Sequence, residues 1–454
     1  MVDAGHWQHG ALRWRAILNP VPFWCRLNVS DLRTLAIGTV NENRHTRKAS
    51  APIRILTFST LYPNAVQPIH GIFVETRLRH LVASGAVEAV VVAPVPFFPS
   101  ASPRFGTWGD YARVPRIEQR ETWTVHHPRY PVVPAVGMNV APALLAAGAL
   151  RTIERLRHSG YDFDLIDAHY LYPDGVAASW LGHWLRKPVL VTARGTDVNL
   201  IPRFRLPRRL IRKAFGRVDG IIAVSEALKE AIVGLGVAPD DVTVLRNGVD
   251  LEHFRPLDRE KARKQVGADG ITLLSVGHLI ERKGHDLVIR ALVDLPDCRL
   301  IVVGAGPEDS RLQALANSLG VAPRVRLVGA KPPGDMPLYY SAADMLVLAS
   351  SREGWANVLL EAMACGTPVV ASNVWGNPEV VASPAAGRLM PERTPAALVE
   401  AVRDLSRNAV ERSATRRYAE GFGWDATTTG QLELFRRVLA RHQAEADAMG
   451  VAMA

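Results

Sequence analysis

The stretch Met345-Leu346-Val347-Leu348-Ala349-Ser350-Ser351-Arg352-Glu353-Gly354-Trp355-Ala356-Asn357-Val358-Leu359-Leu360-Glu361-Ala362-Met363-Ala364-Cys365-Gly366-Thr367-Pro368-Val369-Val370-Ala371 reads as strand, polar loop, helix and strand. Met345–Leu348 is a short apolar run of strand length, and the helix is predicted from Ala356 to Cys365. Gly366 can end it in a left-handed cap, Pro368 bars its continuation, and Val369–Ala371 is the next strand. Glu361 is the only charged residue between Ala356 and Val370. A helix so apolar is buried, and a buried carboxylate is costly unless paired or hydrogen-bonded. Sugar hydroxyls would serve as donors, and so would an Arg or Lys of the same domain. Free N–H groups around Ala356–Leu359 would attract an anion by about 0.3–1 kcal/mol per charge. Glu353, just before them, either binds hydroxyls of a sugar whose phosphate meets that helix start or is a solvated loop carboxylate.

The pattern extends outward in both directions. Ile53–Phe58, Glu88–Ala93, Leu165–Ala168, Val189–Thr192, Gly220–Val224 and Val242–Leu245 read as strands, separated by helices such as Phe73–Ser84 and Glu226–Leu235. Ile271–Val276, Arg299–Val303 and Val325–Val328 repeat the theme ahead of the opening stretch. Strands alternating with helices imply parallel sheets covered on both faces. Asn247-Gly248-Val249-Asp250 and Phe254-Arg255-Pro256 form a turn-rich linker between the halves. Two doubly wound domains facing across a cleft would bind ligands beyond their strand carboxyl ends. There Gly277-His278-Leu279-Ile280-Glu281-Arg282-Lys283-Gly284 offers Arg282 and Lys283 to a diphosphate, with Gly277 permitting close backbone approach. Gly304-Ala305-Gly306-Pro307-Glu308-Asp309 mimics a dinucleotide fingerprint. Asp309 stands where its third glycine belongs and Pro307 interrupts the turn, so a Gly-lined nucleotide pocket fits better than an NAD site.

Composition narrows the class. Of 454 residues, 48% are hydrophobic and 22% charged, which excludes a mostly disordered or low-complexity chain. The three cysteines, Cys25, Cys298 and Cys365, have no pairing or metal spacing, so a reducing cytoplasm is expected. A net charge of +10 calls for an anionic partner. Residues 1–50 hold seven basic residues with Trp7, Trp14 and Trp24 and no sustained period; they read as a flexible extension or a Trp/Arg interfacial segment. The uncharged run Tyr130–Leu150, dense in Pro, Gly and Ala, reads as a buried loop and core helix rather than a membrane span. Arg203, Arg205, Arg208, Arg209, Arg212, Lys213 and Arg217 form a basic stretch, with a helix from about Pro207. It is either a solvated face or an attachment to anionic lipid, at about 1 kcal/mol per basic residue. No nucleic-acid module accompanies it.

The combination Gly277…Lys283-Gly284, Gly304-x-Gly306 and Glu353-Gly354…Glu361-Ala362-x-Ala364-x-Gly366-x-Pro368-Val369-Val370 resembles the retaining glycosyltransferases of family 4, which have the GT-B fold. The resemblance covers about residues 53–440. It implies that Glu353 contacts the donor sugar, Glu361 the nucleotide ribose, and Lys283 the diphosphate leaving group. Arg194 joins Lys283 and Glu353 in the implied catalytic set, and Gly277, His278, Arg282, Gly304, Gly306, Gly354, Trp355, Ala356, Asn357 and Val358 complete the implied donor site. Gly71, His169, Asp174 and Asp197 match acceptor-side positions. Many relatives carry an Arg where His278 stands and a His where Arg194 stands.

The implied organisation is an extension over 1–50, an acceptor-side Rossmann-like domain over 51–250, and a nucleotide-sugar domain over 257–420. A helix over 421–454 would cross back to the first domain. The implied activity moves a sugar from a nucleotide-diphosphate sugar to a glycan or lipid-linked acceptor in cell-envelope or exopolysaccharide synthesis. No metal or cofactor and no nucleic acid are expected. Asp162-Phe163-Asp164, although spaced like a cation motif, precedes a strand and reads as turn chemistry. The expected location is cytoplasmic, peripheral on the inner face of the membrane. A nucleotide-sugar epimerase of related fold and a non-catalytic sugar- or partner-binding protein stand as the alternatives.

Overall fold

A computed structural model describes residues 51–133 and 137–452. The reading of residues 1–50 lies outside them. The chain forms two compact units: 51–192, 202–221 and 434–452 in the first, and 193–201 and 222–433 in the second.

In the first unit the strands are β1 (Ile53–Phe58), β2 (Val87–Val92), β3 (Val95–Pro96), β4 (Ile117–Arg120), β5 (Trp123–His126), β6 (Arg129–Tyr130), β7 (Leu165–His169) and β8 (Val189–Ala193). Six run in the order β8-β7-β1-β2-β5-β4, parallel except that β4 pairs antiparallel with β5. Continuous apolar runs gave the parallel strands away: all five residues of β7 and of β8 are buried. The β4–β5 hairpin escaped the sequence reading because β4 has one apolar residue, Ile117, and it is exposed. Two helices are α1 (Ile72–Ala83) and α2 (Gly137–His158). The latter holds most of the long uncharged run and buries Leu145, Ala146, Ala149 and Ile153. Among the described residues no helix is long and apolar enough to cross a membrane. The basic stretch forms α3 (Arg205–Phe215), two residues earlier than expected, with Pro207 tolerated in its first turn.

β9 (Gly220–Ala223) straddles the unit boundary, and β10 (Val242–Val244) belongs to the second unit. There follow β11 (Ile271–Val276), β12 (Cys298–Val303), β13 (Val325–Leu327), β14 (Met345–Leu348), β15 (Val369–Ser372) and β16 (Gly387–Met390). These six form a parallel sheet in the order β13-β12-β11-β14-β15-β16. Leu273, Leu300, Val347 and Val370 of its strands pack with Val288, Ile289 and Leu398 of the covering helices. Helix α4 (His285–Ala291) follows β11, and α5 (Asn357–Ala364) joins β14 to β15. The last helix is one residue shorter at each end than expected, because Ala356 and Cys365 are its caps.

In each unit the strand order reverses once, between β1 and β7 and between β11 and β14. Loops leaving adjacent strands in opposite directions open a crevice at that point, where doubly wound sheets bind ligands.

Candidate functional site

Two loops flank the reversal in the second unit, one after β11 and one after β14. They are tied together at both backbone and side-chain level. Ser351 N–H donates to the Arg282 carbonyl at 2.8 Å, and Arg282 Nη1 donates to the Arg352 carbonyl at 2.8 Å. Lys283 Nζ lies 2.5 Å from Glu353 Oε1, which also accepts Ser350 Oγ at 2.7 Å; Arg282 Nη1 stands 3.5 Å from Oε2. Glu353 is buried and both cations are largely buried, so neither is the solvated loop charge that such residues usually are. Burial pushes the Glu353 carboxyl up, but Lys283, Arg282 and the two hydrogen bonds outweigh it and hold it below the ordinary range. The groups expected to meet the sugar and the diphosphate are one ion pair here.

A third loop, after β8, packs on the second. Asp197 is buried; its carboxylate accepts the Arg194 N–H at 3.1 Å and the Gly195 N–H at 2.6 Å, fixing this loop. Arg194 Nη1 then donates to Asn247 Oδ1 at 3.0 Å, and Asn247 Nδ2 donates to Asn357 Oδ1 at 3.3 Å. A Cβ on Gly354 would lie 2.0 Å from the Arg194 carbonyl oxygen, so only glycine lets these backbones meet. Trp355 is buried and carries the Arg246 guanidinium 5.8 Å from its ring centre.

The remaining donor-side residues separate. Gly304 has φ +156 and sits where a Cβ would be 1.9 Å from the Gly277 carbonyl oxygen, and Gly306 packs likewise on Leu279. Both glycines therefore serve backbone packing of the loop after β11, while His278 in that loop is exposed. Ala356 caps α5 and Val358 lies in its first turn. Leu359, counted among the free N–H groups, donates to the Ala356 carbonyl at 3.0 Å. Glu361 meets no Arg or Lys among the described residues: Tyr340 Oη donates to its Oε2 at 2.6 Å, so a buried hydroxyl stands where a salt bridge was the structural alternative. Burial raises the Glu361 carboxyl above the ordinary range, with the Tyr340 bond and His253 opposing the rise.

In the first unit Gly71, His169 and Asp174 lie around its own reversal point. Asp174 is fully buried and holds the loop after β1, accepting the Thr60 N–H and, at 3.0 Å, Thr60 Oγ1. Gly71 (φ +66) packs against the Leu61 carbonyl in the same loop. His169 is 1% exposed, with Nε2 3.3 Å from Asp167 Oδ2. Asp162 pairs with Lys187 at 2.9 Å, and Asp164 accepts the Arg54 N–H at 2.8 Å. Each carboxylate of that spacing therefore has a structural partner.

Sequence reading missed Asn247, Tyr340 and Ser350. Asn247 was masked by the turn signal of Asn-Gly, and nothing local marks Tyr340, 21 residues before its partner.

Comparisons with known proteins give the family and the fold. Residues 258–422 match the family described as Glycosyl transferases group 1, and residues 72–253 match Glycosyltransferase Family 4. The chain is 29% identical over 444 residues to D-inositol 3-phosphate glycosyltransferase 1 of Catenulispora acidiphila, covering 87% of this chain and 98% of that one. It is 31% identical over 332 residues to D-inositol 3-phosphate glycosyltransferase of Mycobacterium bovis, covering 67% and 68%. Among solved structures, sucrose-phosphate synthase from Thermosynechococcus elongatus has a TM-score of 0.70 at 21% identity, covering 86% and 100%. Anabaena HepE in complex with UDP has a TM-score of 0.63 at 21% identity, covering 85% and 100%.

Proposed function

Because the chain belongs to the family 4 glycosyltransferases, with two Rossmann-like halves of the GT-B kind, we propose that it takes its sugar from a nucleotide-diphosphate donor. The acceptor would be a glycan or a lipid-linked saccharide of cell-envelope or exopolysaccharide synthesis. The observation that carries the donor reading is the buried Lys283–Glu353–Arg282 cluster, which joins the two loops at the sheet's reversal point. UDP bound to a structural neighbour supports it.

The family resemblance implies attack on the face from which the leaving group departs. The anomeric carbon–oxygen bond to the diphosphate breaks, and the acceptor hydroxyl oxygen bonds to the same face. Its proton passes to the departing phosphate oxygen, so configuration is retained and the atoms balance. Negative charge gathers on the diphosphate, and Lys283 and Arg282 would act as preorganised cations that lower that cost. Arg194 would add a third cation from the loop after β8. Glu353, now held by Lys283 and Ser350, would exchange Lys283 for sugar hydroxyls when the diphosphate draws the cation. Glu361 would take a ribose hydroxyl at Oε1.

The first unit would receive the acceptor, beside Gly71, His169 and Asp174. Helix α3 would hold that unit to anionic lipid, in keeping with a lipid-linked acceptor. The curated relatives favour a second reading of the acceptor, a small phosphorylated cyclitol, because they match over most of this chain under that name. A thermal-shift panel of nucleotide sugars tests the donor: one base and sugar should raise Tm strongly by mass action. No shift with any member would refute the donor reading, and product analysis with lipid-linked saccharide against inositol phosphate separates the two acceptors.

A further inference from the structure

We infer that Asn247 is a positioning residue: it fixes the chain Arg194–Asn247–Asn357 in one polarity, so that Asn357 presents Nδ2 as a hydrogen-bond donor to an oxygen of the bound nucleotide sugar. The inference rests on the donor reading above and extends it to the choice of donor group.

The polarity follows from chemistry at one end. A guanidinium has five N–H donors and no acceptor. The Asn247 atom facing Arg194 Nη1 at 3.0 Å must therefore be the carbonyl Oδ1. Its amide Nδ2 then points the other way and can only donate, which forces Asn357 to turn Oδ1 toward it at 3.3 Å. What Asn357 has left is Nδ2, without a partner among the described residues and on a half-buried side chain. Asn357 is the first residue of α5, four residues beyond Glu353. Asn247 is 4% exposed, so water does not compete for either of its bonds. A group presented this way selects an acceptor oxygen, which a sugar hydroxyl or a phosphate can both supply.

The test uses calorimetric titration of the full chain with UDP, ADP, GDP and their glucose esters. Asn247→Asp keeps an acceptor for Arg194 but has no N–H for Asn357, whose amide can then turn its carbonyl outward. Affinity should fall about tenfold, the loss of one good hydrogen bond. In an Asn357→Ala background the same substitution should change affinity by less than about twofold, because the group it orients is gone. A fall that persists in that background would mean that Asn247 acts through the charge of Arg194, and would overturn the proposal. So would wild-type affinity in Asn247→Asp. Should the Asp variant fail to fold, Asn247→Ala, which frees the Asn357 amide to turn either way, serves in its place: affinity should fall by less than about tenfold, and the fall should again vanish in the Asn357→Ala background. Loss with the free diphosphates as well as the glucose esters places the acceptor oxygen on phosphate; loss with the esters alone places it on the sugar. A wild type that binds none of the six removes the donor reading and this inference together, whereas binding with indifferent variants removes this inference alone.

Discussion

Glu353 is a buried carboxylate whose own burial opposes its charge, and two cations 70 and 71 residues earlier in the chain reverse the balance. Removing the carboxylate takes away the counter-charge that Glu353 supplies to Lys283 and Arg282. Glu353→Gln should therefore cost about 3 kcal/mol in urea unfolding, the usual penalty for breaking a buried pair. Stability equal to wild type would show that the pair holds nothing together. Glu361 is the opposite case, a carboxyl raised by burial with one hydroxyl as its support. A folded pKa above the unfolded value means that ionised Glu361 burdens the native state at high pH, and that the burden lifts as pH falls through the folded pKa. The Tyr340 bond reduces that burden only while Glu361 is ionised. Tyr340→Phe, nearly the same shape, should cost about 2 kcal/mol at pH 8 and less as pH falls through the folded pKa of Glu361. A cost that stays level across the whole acid limb would mean that the bond does not serve the charge. Glu361 stood out in sequence as the lone charge of an apolar helix, whereas Glu353 and Lys283 were marked by their place in loops after strands and by the family resemblance. Their partners were not, since pairing across 21 or 70 residues depends on which strands become neighbours.

Loops of the second unit meet backbone to backbone, and glycine spacing records where. Gly354 lies between the Arg194 carbonyl and Gly376, whose own Cβ would fall 2.3 Å from the Gly354 oxygen. Gly354→Ala must push the loop after β8 off the loop after β14, at about 3 kcal/mol by the scale of overpacking in tight interiors. Gly334→Ala, with nothing within 4 Å, should be nearly neutral in the same melt. Equal melting of the two variants would mean that the loops yield freely. Helix α3 makes the other prediction at this scale. Ile211 and Ala214 are buried, while Arg208, Arg209, Arg212 and Lys213 are exposed and Phe204 and Leu206 stand out at 42% and 43% exposure. Exposed cations beside exposed apolar side chains suit an anionic bilayer surface better than a plain solvated face. The protein should pellet with anionic vesicles at low salt, less at 1 M salt where the Debye length is about 3 Å. Replacing those four cations by Gln should abolish pelleting without changing nucleotide binding; unchanged pelleting of the variant would return α3 to ordinary surface.

Across the whole molecule, the proposed reading has side chains supply the charge for a diphosphate, and the closely spaced acidic pair has other partners. Asp162 is engaged by Lys187 and Arg157, and Asp164 by the backbone of Arg54. Turnover is accordingly expected to survive EDTA; activity lost to EDTA and restored by manganese would reassign that pair. Sequence alone determined the α/β class, because continuous apolar runs alternating with helical stretches permit few other burials. It also marked the loops bearing Lys283 and Glu353 and the helix bearing Glu361. The hairpin β4–β5 and the edge strand β16 were beyond it, since edge strands lack the apolar runs that betray buried ones. Only the tertiary structure decided that Asp174 secures the loop after β1 and Asp197 its own loop, that Glu361 answers to Tyr340, and that Asn247 stands between Arg194 and Asn357. A side chain's partner is set by which strands adjoin and how closely their loops pack, and neither distance is written in the spacing of residues along the chain.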